Sequence, residues 1–203
     1  MDACRIPIKN FPDPKVDTPL SSTPVEESAV MGGGCFWCVE AVFRELRGVI
    51  SVRNGYAGDS AATANYRAVC SGTTNHAEVI EVRYDASQST FGQLLKIYFS
   101  VAHDPTQLNG QGNDIGRQYR SAIFYNSEEQ KRVAEAYIRQ LNDARVFNEP
   151  IVTTLEKLET FYPAEDYHQD YAARNPQQPY IMFVAQPKVD KLRENFSGRL
   201  KKL

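Results

Sequence analysis

Two hydrophobic periods alternate along this 203-residue chain, and their order constrains the fold more than anything else in it. Val39, Val42, Phe43 and Leu46 recur at i, i+3, i+4 and i+7, one apolar stripe of a helix, with Gly48 placed to stop it. Ahead of that stripe, Ser28 to Met31 reads as a short strand. Behind it, "VISVRNGYAG" and "HAEVIEVRYD" read as two more, with Ile80, Val82 and Tyr84 on one face of the second. Ser89 or Thr90 then caps a helix in which Phe91, Leu94, Leu95, Tyr98, Phe99 and Ala102 repeat at helical spacing. After a long polar loop, 103–118, "YRSAIFY" is a strand. Ser127 with Gln130 forms a capping box for a helix to about Ala144, and "PIVTTLEKL" is a further strand. Short helices are expected in "AEDYHQDYAAR" and after Pro187. The order β-α-β-β-α-β, with an added α-β and a C-terminal wrapping segment, predicts a mixed α/β (α+β) two-layer domain on the ferredoxin-like, split βαβ plan. A single catalytic domain is expected over 25–203. Residues 1–24, rich in proline and without periodicity, are expected to form an extended arm.

Composition removes several classes of function. A net charge of −2 gives no basic surface for nucleic acid or anionic lipid. No apolar run approaches the ~20 residues a membrane helix needs, and the N-terminus has no continuous apolar segment of a secretory signal. The four cysteines, at 4, 35, 38 and 70, make a poor disulfide framework. They suit a reducing, cytoplasmic setting with one reactive pair.

That pair lies in "MGGGCFWCVEAVF", where glycines give way to helix. A thiol at a helix N-terminus faces unpaired N–H groups and the positive end of the helix dipole. Its pKa is expected to fall, so Cys35 reads as a nucleophile. Cys38 is three residues on, where side chains are neighbours on a helix, and reads as a resolving thiol. Two buried structural cysteines are the alternative, and a zinc half-site lacks a second cysteine pair. Phe36 and Trp37 fall outside the helical stripe, so they are either core residues or walls of an apolar pocket suited to a methyl or thioether group. Counting by two, Glu78 shares the buried face of Ile80, Val82 and Tyr84. A carboxyl there loses hydration, its pKa rises, and it becomes a proton donor near neutral pH or else a paired structural glutamate. Asp114, in "GQGNDIGRQY", also reads as a turn former. Tyr66 and Tyr119 do not stand out by composition, and His76, His103 and His168 read as structural groups.

Together, "GGGCFWCVEAVF", "GYAG", "NYRAVCSGTTNHAEVIEVRYD", "HDPTQLNGQGNDIGRQYRSAIFY" and "FYPAEDYHQDYAARNP" resemble the A-type peptide methionine sulfoxide reductases, from about Val25 to Pro187. The resemblance implies that Cys35 attacks the sulfoxide sulfur while Phe36 and Trp37 receive the methyl group. It implies that Glu78 protonates the sulfoxide oxygen, that Tyr66 and Tyr119 hydrogen-bond it, and that Asp114 shapes the site. Such an enzyme reduces methionine-S-sulfoxide, free or in oxidised proteins, in protein repair under oxidative stress. It uses neither metal nor cofactor. Electrons come from thioredoxin or another dithiol through an intramolecular disulfide, and a monomer is expected.

Two positions depart from the family pattern. Many members recycle through C-terminal cysteines, one directly after a tyrosine, but here Ile181 follows Tyr180 and no cysteine lies beyond 70. Cys38 is therefore the expected resolver, with Cys70 and Cys4 in reserve. Asn75 stands where glycine is usual, in the loop leading to Glu78. A thioredoxin-like disulfide oxidoreductase is the competing enzyme, although its order of elements differs and no proline stands between the cysteines. A non-catalytic thioether-binding module is the competing non-enzyme.

Overall fold

The computed structural model describes residues 4–202. In chain order the elements are β1 (Glu26–Gly32), α1 (Phe36–Arg44), β2 (Val49–Ala57), α2 (Tyr66–Cys70), β3 (Ala77–Asp85) and α3 (Phe91–Ile97). Then come a two-stranded hairpin, β4 (Gly110–Gln111) and β5 (Asp114–Ile115), β6 (Ala122–Tyr125), α4 (Glu128–Asp143), β7 (Thr154–Lys157) and β8 (Tyr162–Pro163). Two further helices, α5 (Tyr171–Arg174) and α6 (Gln186–Asn195), follow.

The main sheet runs β7-β6-β1-β3-β2-β8. Each β-α-β crossover leaves room for one strand. Strand β3 fills the gap between β1 and β2, and β1 fills the gap between β3 and β6, which is the split βαβ arrangement expected from the order of periods. The four inner strands pair antiparallel, while β7, reached through α4, pairs parallel with β6. Strand β8 adds two pairs to the opposite edge, Gly55↔Pro163 and Tyr56↔Tyr162.

Strand alternation decides which residues meet the helices. Ala29, Met31, Ile80, Val82 and Tyr84 join the main core with Val39, Val42 and Phe43 of α1, all at most 1% exposed. Burying each of these larger side chains stabilises the fold by roughly 1.5–3 kcal/mol. The opposite face carries a smaller cluster of Val30, Ala57, Ala77, Val79, Ala122 and Phe124.

Several local expectations shift. Helix α1 begins at Phe36 and ends at Arg44, so Gly48 (φ +83°) turns the chain into β2 rather than capping the helix. Thr90 caps α3 in a full capping box with Gln93, and the helix then widens into a π turn over Tyr98–Ala102. At α4, Ser127 accepts from the Gln130 amide, but the Gln130 side chain turns to the Asn126 N–H and the Ser28 carbonyl, so the box is only half formed. The long loop is not featureless: it holds the β4–β5 hairpin and a 3-10 turn at Arg117–Tyr119. The N-terminal arm buries Ile8 and Phe11, and Asp17 Oδ1 accepts the Gly92 N–H at the start of α3 at 2.7 Å.

Candidate active site

The turn between β1 and α1 needs glycine for reasons visible in its neighbours. A Cβ on Gly33 would lie 2.8 Å from the His103 ring, and Gly34 combines φ +86° with the Gln111 side chain 2.7 Å from where a Cβ would sit. The His103 ring is fixed in turn. Its Nδ1–H donates to the Tyr98 carbonyl at 3.0 Å, and its Nε2 accepts from Ser121 Oγ at 2.7 Å. Burial holds His103 neutral, its pKa down at about 3. Tyr98 Oη donates to the Gly32 carbonyl at 2.6 Å. This buried network sets the direction in which the glycines deliver Cys35 to the N-cap of α1.

At the N-cap the helix N–H groups are shared among three acceptors. The Phe36 N–H goes to Glu78 Oε2 at 3.1 Å, the Trp37 N–H favours the Cys35 thiolate, and the Cys38 N–H bonds the Cys35 carbonyl at 3.1 Å. Losing the Phe36 donor to Glu78 changes the expected titration. Burial pushes the Cys35 thiol well above its ordinary value, and the hydrogen bond with Cys38 and the nearby Glu78 add to this. Cys35 is therefore not the low-pKa thiol that its N-cap position predicts. The lowered thiol is Cys38, brought down to about 7 by its hydrogen bond with Cys35, by Lys188 and by the Tyr180 hydroxyl. Both cysteines are buried and free.

Glu78 is 2% exposed and, as the strand alternation predicts, lies on the face of Ile80, Val82 and Tyr84. Burial first, then the charges of Asp114 and Cys38, push its pKa up to about 8 against the pull of the Phe36 N–H, so it holds a proton at neutral pH.

Phe36 is buried, and its ring centroid lies 5.9 Å from Tyr56 and 5.1 Å from His168. Trp37 is half-buried and stacks on Tyr171 with ring centroids 3.9 Å apart and planes at 10°. Its indole N–H donates to His168 Nδ1 at 3.2 Å, and Tyr180 meets its edge. Phe36 is thus a core residue, while Trp37 packs half-buried against Tyr171 and His168.

Tyr66 and Tyr119 are both half-buried, and burial raises both. Each also feels the charges of Glu78 and Cys35, so the structure gathers the four groups together. Cys70, on the same helix as Tyr66, hydrogen-bonds both tyrosine hydroxyls. Asp114, on β5, accepts from Tyr180 Oη at 2.5 Å, and Tyr180 Oη is 3.8 Å from Cys38 Sγ. Cys4 has its backbone bridged to Phe147 and lines a cavity with His103, Gln111 and Lys188. Asn75 is a lock: its N–H reaches Asp59 Oδ2 at 2.7 Å, its side-chain amide donates to the Gly58 carbonyl at 2.7 Å, and Arg117 donates to its Oδ1.

Sequence reasoning read His168 only as a structural group and assigned no role to Tyr171, Tyr180 or Glu165. Glu165 accepts from Tyr56 Oη at 2.8 Å and from the Tyr66 N–H at 2.9 Å, so it positions α2. For His168, Tyr171 and Glu165 the signal was the density of aromatic and ionisable residues in "FYPAEDYHQDY", a segment too short and irregular for periodicity to interpret.

Comparisons with known proteins give the family. The family model described as "Peptide methionine sulfoxide reductase" matches residues 27–200. Peptide methionine sulfoxide reductase MsrA 2 of Synechocystis sp. is 54% identical over 195 residues, covering 95% of this chain and 91% of its own. MsrA of Thermus thermophilus is 51% identical over 87% of this chain and 98% of its own. Among solved structures, methionine sulfoxide reductase A of Corynebacterium diphtheriae superimposes with a TM-score of 0.64 at 35% identity, covering 87% of this chain and 88% of that one. The reduced form of Mxr1 from Saccharomyces cerevisiae gives 0.69 at 31% identity over 80% and 92%. No helix among the described residues is long and apolar enough to cross a membrane. A match over most of the chain, half-identical relatives of similar length and a shared fold place this enzyme in the peptide methionine sulfoxide reductase family.

Proposed function

We propose that this enzyme reduces the S epimer of methionine sulfoxide by sulfur-on-sulfur attack from Cys35, with Glu78 as acid, Cys38 as resolving thiol and thioredoxin as the external dithiol. The observation that carries the reading is the gathering of three groups at one helix N-terminus: a raised carboxyl, Glu78, held by the Phe36 N–H, and two hydrogen-bonded thiols, Cys35 and Cys38. The substrate methyl rests against Phe36 and Trp37, and the sulfoxide oxygen faces Glu78 and the Tyr66 and Tyr119 hydroxyls. As the Cys35 sulfur attacks, its proton passes to the Cys38 thiolate and the Glu78 proton passes to the oxygen. The protonated oxygen leaves the methionine sulfur as hydroxide and adds to the Cys35 sulfur as the new Cys35–methionine S–S bond breaks, leaving methionine and a sulfenic acid on Cys35, and the Cys38 proton returns to Glu78. The Cys38 thiolate then attacks the Cys35 sulfur. Hydroxide leaves, takes the Glu78 proton and departs as water, and a Cys35–Cys38 disulfide remains for the reductant. Asp114, through Tyr180, holds the resolving end of the site.

Cys38→Ser tests this assignment. One methionine per enzyme is expected from a single turnover, with a trappable sulfenic acid on Cys35, while thioredoxin-supported turnover collapses. Full thioredoxin-linked turnover in Cys38→Ser, lost instead in Cys70→Ser or Cys4→Ser, overturns the choice of resolver.

A further inference from the structure

In the buried network behind the Cys35 turn, the place of each side-chain proton follows from its neighbours. His103 Nδ1 lies 3.0 Å from the Tyr98 carbonyl, and a carbonyl only accepts, so a neutral ring carries its single proton on Nδ1. Nε2 is then bare, and the Ser121 hydroxyl, 2.7 Å away, donates to it. That uses the one proton Ser121 has. The Thr153 hydroxyl, 2.7 Å from Ser121 Oγ, is therefore the donor of that pair. Tyr98 Oη gives its own proton to the Gly32 carbonyl at 2.6 Å. The hydrogen bonds run one way, from Thr153 to Ser121, to His103 and to the Tyr98 carbonyl.

We infer that Ser121 and Thr153 are positioning residues for Cys35, acting through this one-way chain and the Nδ1–H tautomer of His103 that it fixes. The chain ends on the turn that carries the nucleophile. The His103 ring fills the space that a Cβ on Gly33 would need, 2.8 Å from that position, and the Tyr98 hydroxyl holds the carbonyl of the residue before it. Cys35 stands two residues after Gly33. At its other end the chain is fixed in the sheet. Ser121 leads into β6 and Thr153 into β7, and the Thr154 N–H donates to the Ser121 carbonyl at 3.0 Å. The edge strand of the sheet is thereby tied to the Cys35 turn through side chains. The effect on reduction rests on Cys35 as the nucleophile proposed above.

The chain keeps its direction because the ring stays neutral. Burial first, then the Lys188 charge, lowers His103 to about 3, against weaker pulls from the Tyr98 carbonyl and Asp104. Both charged neighbours are engaged: Lys188 Nζ donates to the Ala102 carbonyl at 2.7 Å, and the Asp104 carboxylate accepts from the Thr106 hydroxyl and the Gln107 amide. The other two histidines are arranged differently. His76 Nε2 donates to the Ser60 carbonyl at 3.0 Å, and His168 Nδ1 accepts the Trp37 indole N–H at 3.2 Å. Neither holds a lone proton on Nδ1, so the tautomer singles out His103 among the three histidines of the chain.

Nitrogen-15 NMR of the full-length protein labelled in its imidazole rings reads the tautomer directly, without substrate. One histidine of the Nδ1–H type is expected, unchanged between about pH 5 and 8. Its absence overturns the chain. Ser121→Ala removes the donor to Nε2, so the resonance of that bare nitrogen is expected to move; an unmoved resonance also overturns the chain. In the same variant, single-turnover reduction of methionine sulfoxide is expected to slow roughly 10–10²-fold, the consequence of a small misplacement of a reacting atom, while KM stays within about twofold. Thr153→Val is expected to slow the same step less, and Thr153→Ser, which keeps the hydroxyl, to restore it. A loss carried by KM, or an equal loss in Thr153→Val and Thr153→Ser, overturns the positioning role. Alkylation of Cys35 by iodoacetamide, mapped by peptide mass spectrometry, is expected to move to higher pH in Ser121→Ala as the sulfur leaves its place at the Trp37 N–H. A wild-type rate with an unshifted profile overturns the positioning role. A wild-type rate with a shifted profile leaves the chain standing and refutes Cys35 as nucleophile.

Discussion

Replacing Glu78 with glutamine is expected to make the protein more stable and the enzyme much slower, and pH separates the two effects. The carboxyl is 2% exposed and its pKa rises from an ordinary 4.5 to about 8, with burial as the main cause. From pH 4.5 to about 8 the folded chain holds a proton that the unfolded chain releases, so stability falls as pH rises through that window. At 1.36 kcal/mol per pH unit, the loss accumulated between the ordinary value and pH 7 is roughly 3 kcal/mol. Glutamine keeps an oxygen for the Phe36 N–H and has no proton to lose. Urea unfolding of both proteins at several pH values is the assay. The gap between Glu78→Gln and wild type is expected to widen by roughly 3 kcal/mol in favour of the variant between pH 4.5 and 7. Single-turnover reduction at neutral pH is expected to slow roughly 10²–10⁴-fold, the usual worth of a positioned proton donor. The wild-type rate should fall as pH rises through about 8, and the variant should lack that limb. A stability gap independent of pH refutes the raised carboxyl, and an unchanged single-turnover rate refutes its role as acid.

Cys35→Ser is expected to abolish reduction even in a single turnover, because a hydroxyl is far less nucleophilic toward sulfur; any wild-type-like burst of methionine refutes Cys35 as nucleophile. Tyr180→Phe removes the hydroxyl between Cys38 and Asp114, and the Cys38 pKa is expected to rise. The pH dependence of iodoacetamide alkylation should move upward with it. Disulfide formation after the first turnover should slow more than that turnover itself, and equal slowing of both steps refutes the link between Tyr180 and Cys38.

The core of the fold was legible because it rests on two periods that water enforces. Each residue of the α1 stripe, and each of the β3 face except Glu78, is apolar and buried, so spacing alone locates it. Glu78 was legible for the same reason, as a charge on a face that should carry none. The glycine–cysteine turn was legible in place but not in chemistry. Where the Phe36 N–H goes depends on a strand 42 residues away, and that partner decides which thiol is lowered. His168 and Tyr171 belong to a segment whose elements are single turns, where no period develops and tertiary packing sets every direction.

Three of the four cysteines then separate by environment rather than by reach. Cys70 is half-buried, and burial raises it despite hydrogen bonds from Tyr66 and Tyr119. Those two hydroxyls are the ones the proposed mechanism turns toward the sulfoxide oxygen. A Cys70 thiolate would compete for them, whereas a neutral thiol there steadies both. Cys38 meets the opposite conditions: a hydrogen bond from Cys35, the Lys188 charge and the Tyr180 hydroxyl all favour its thiolate. In thiol–disulfide chemistry the attacking thiol is most effective with a pKa near ambient pH, and Cys38, at about 7, meets that condition. Burial favours the protonated form of Cys35, which also protects the proposed nucleophile from adventitious oxidants that react with thiolates. The division of one thiolate and one thiol across a single helical turn thus suits the two half-reactions in their proposed order.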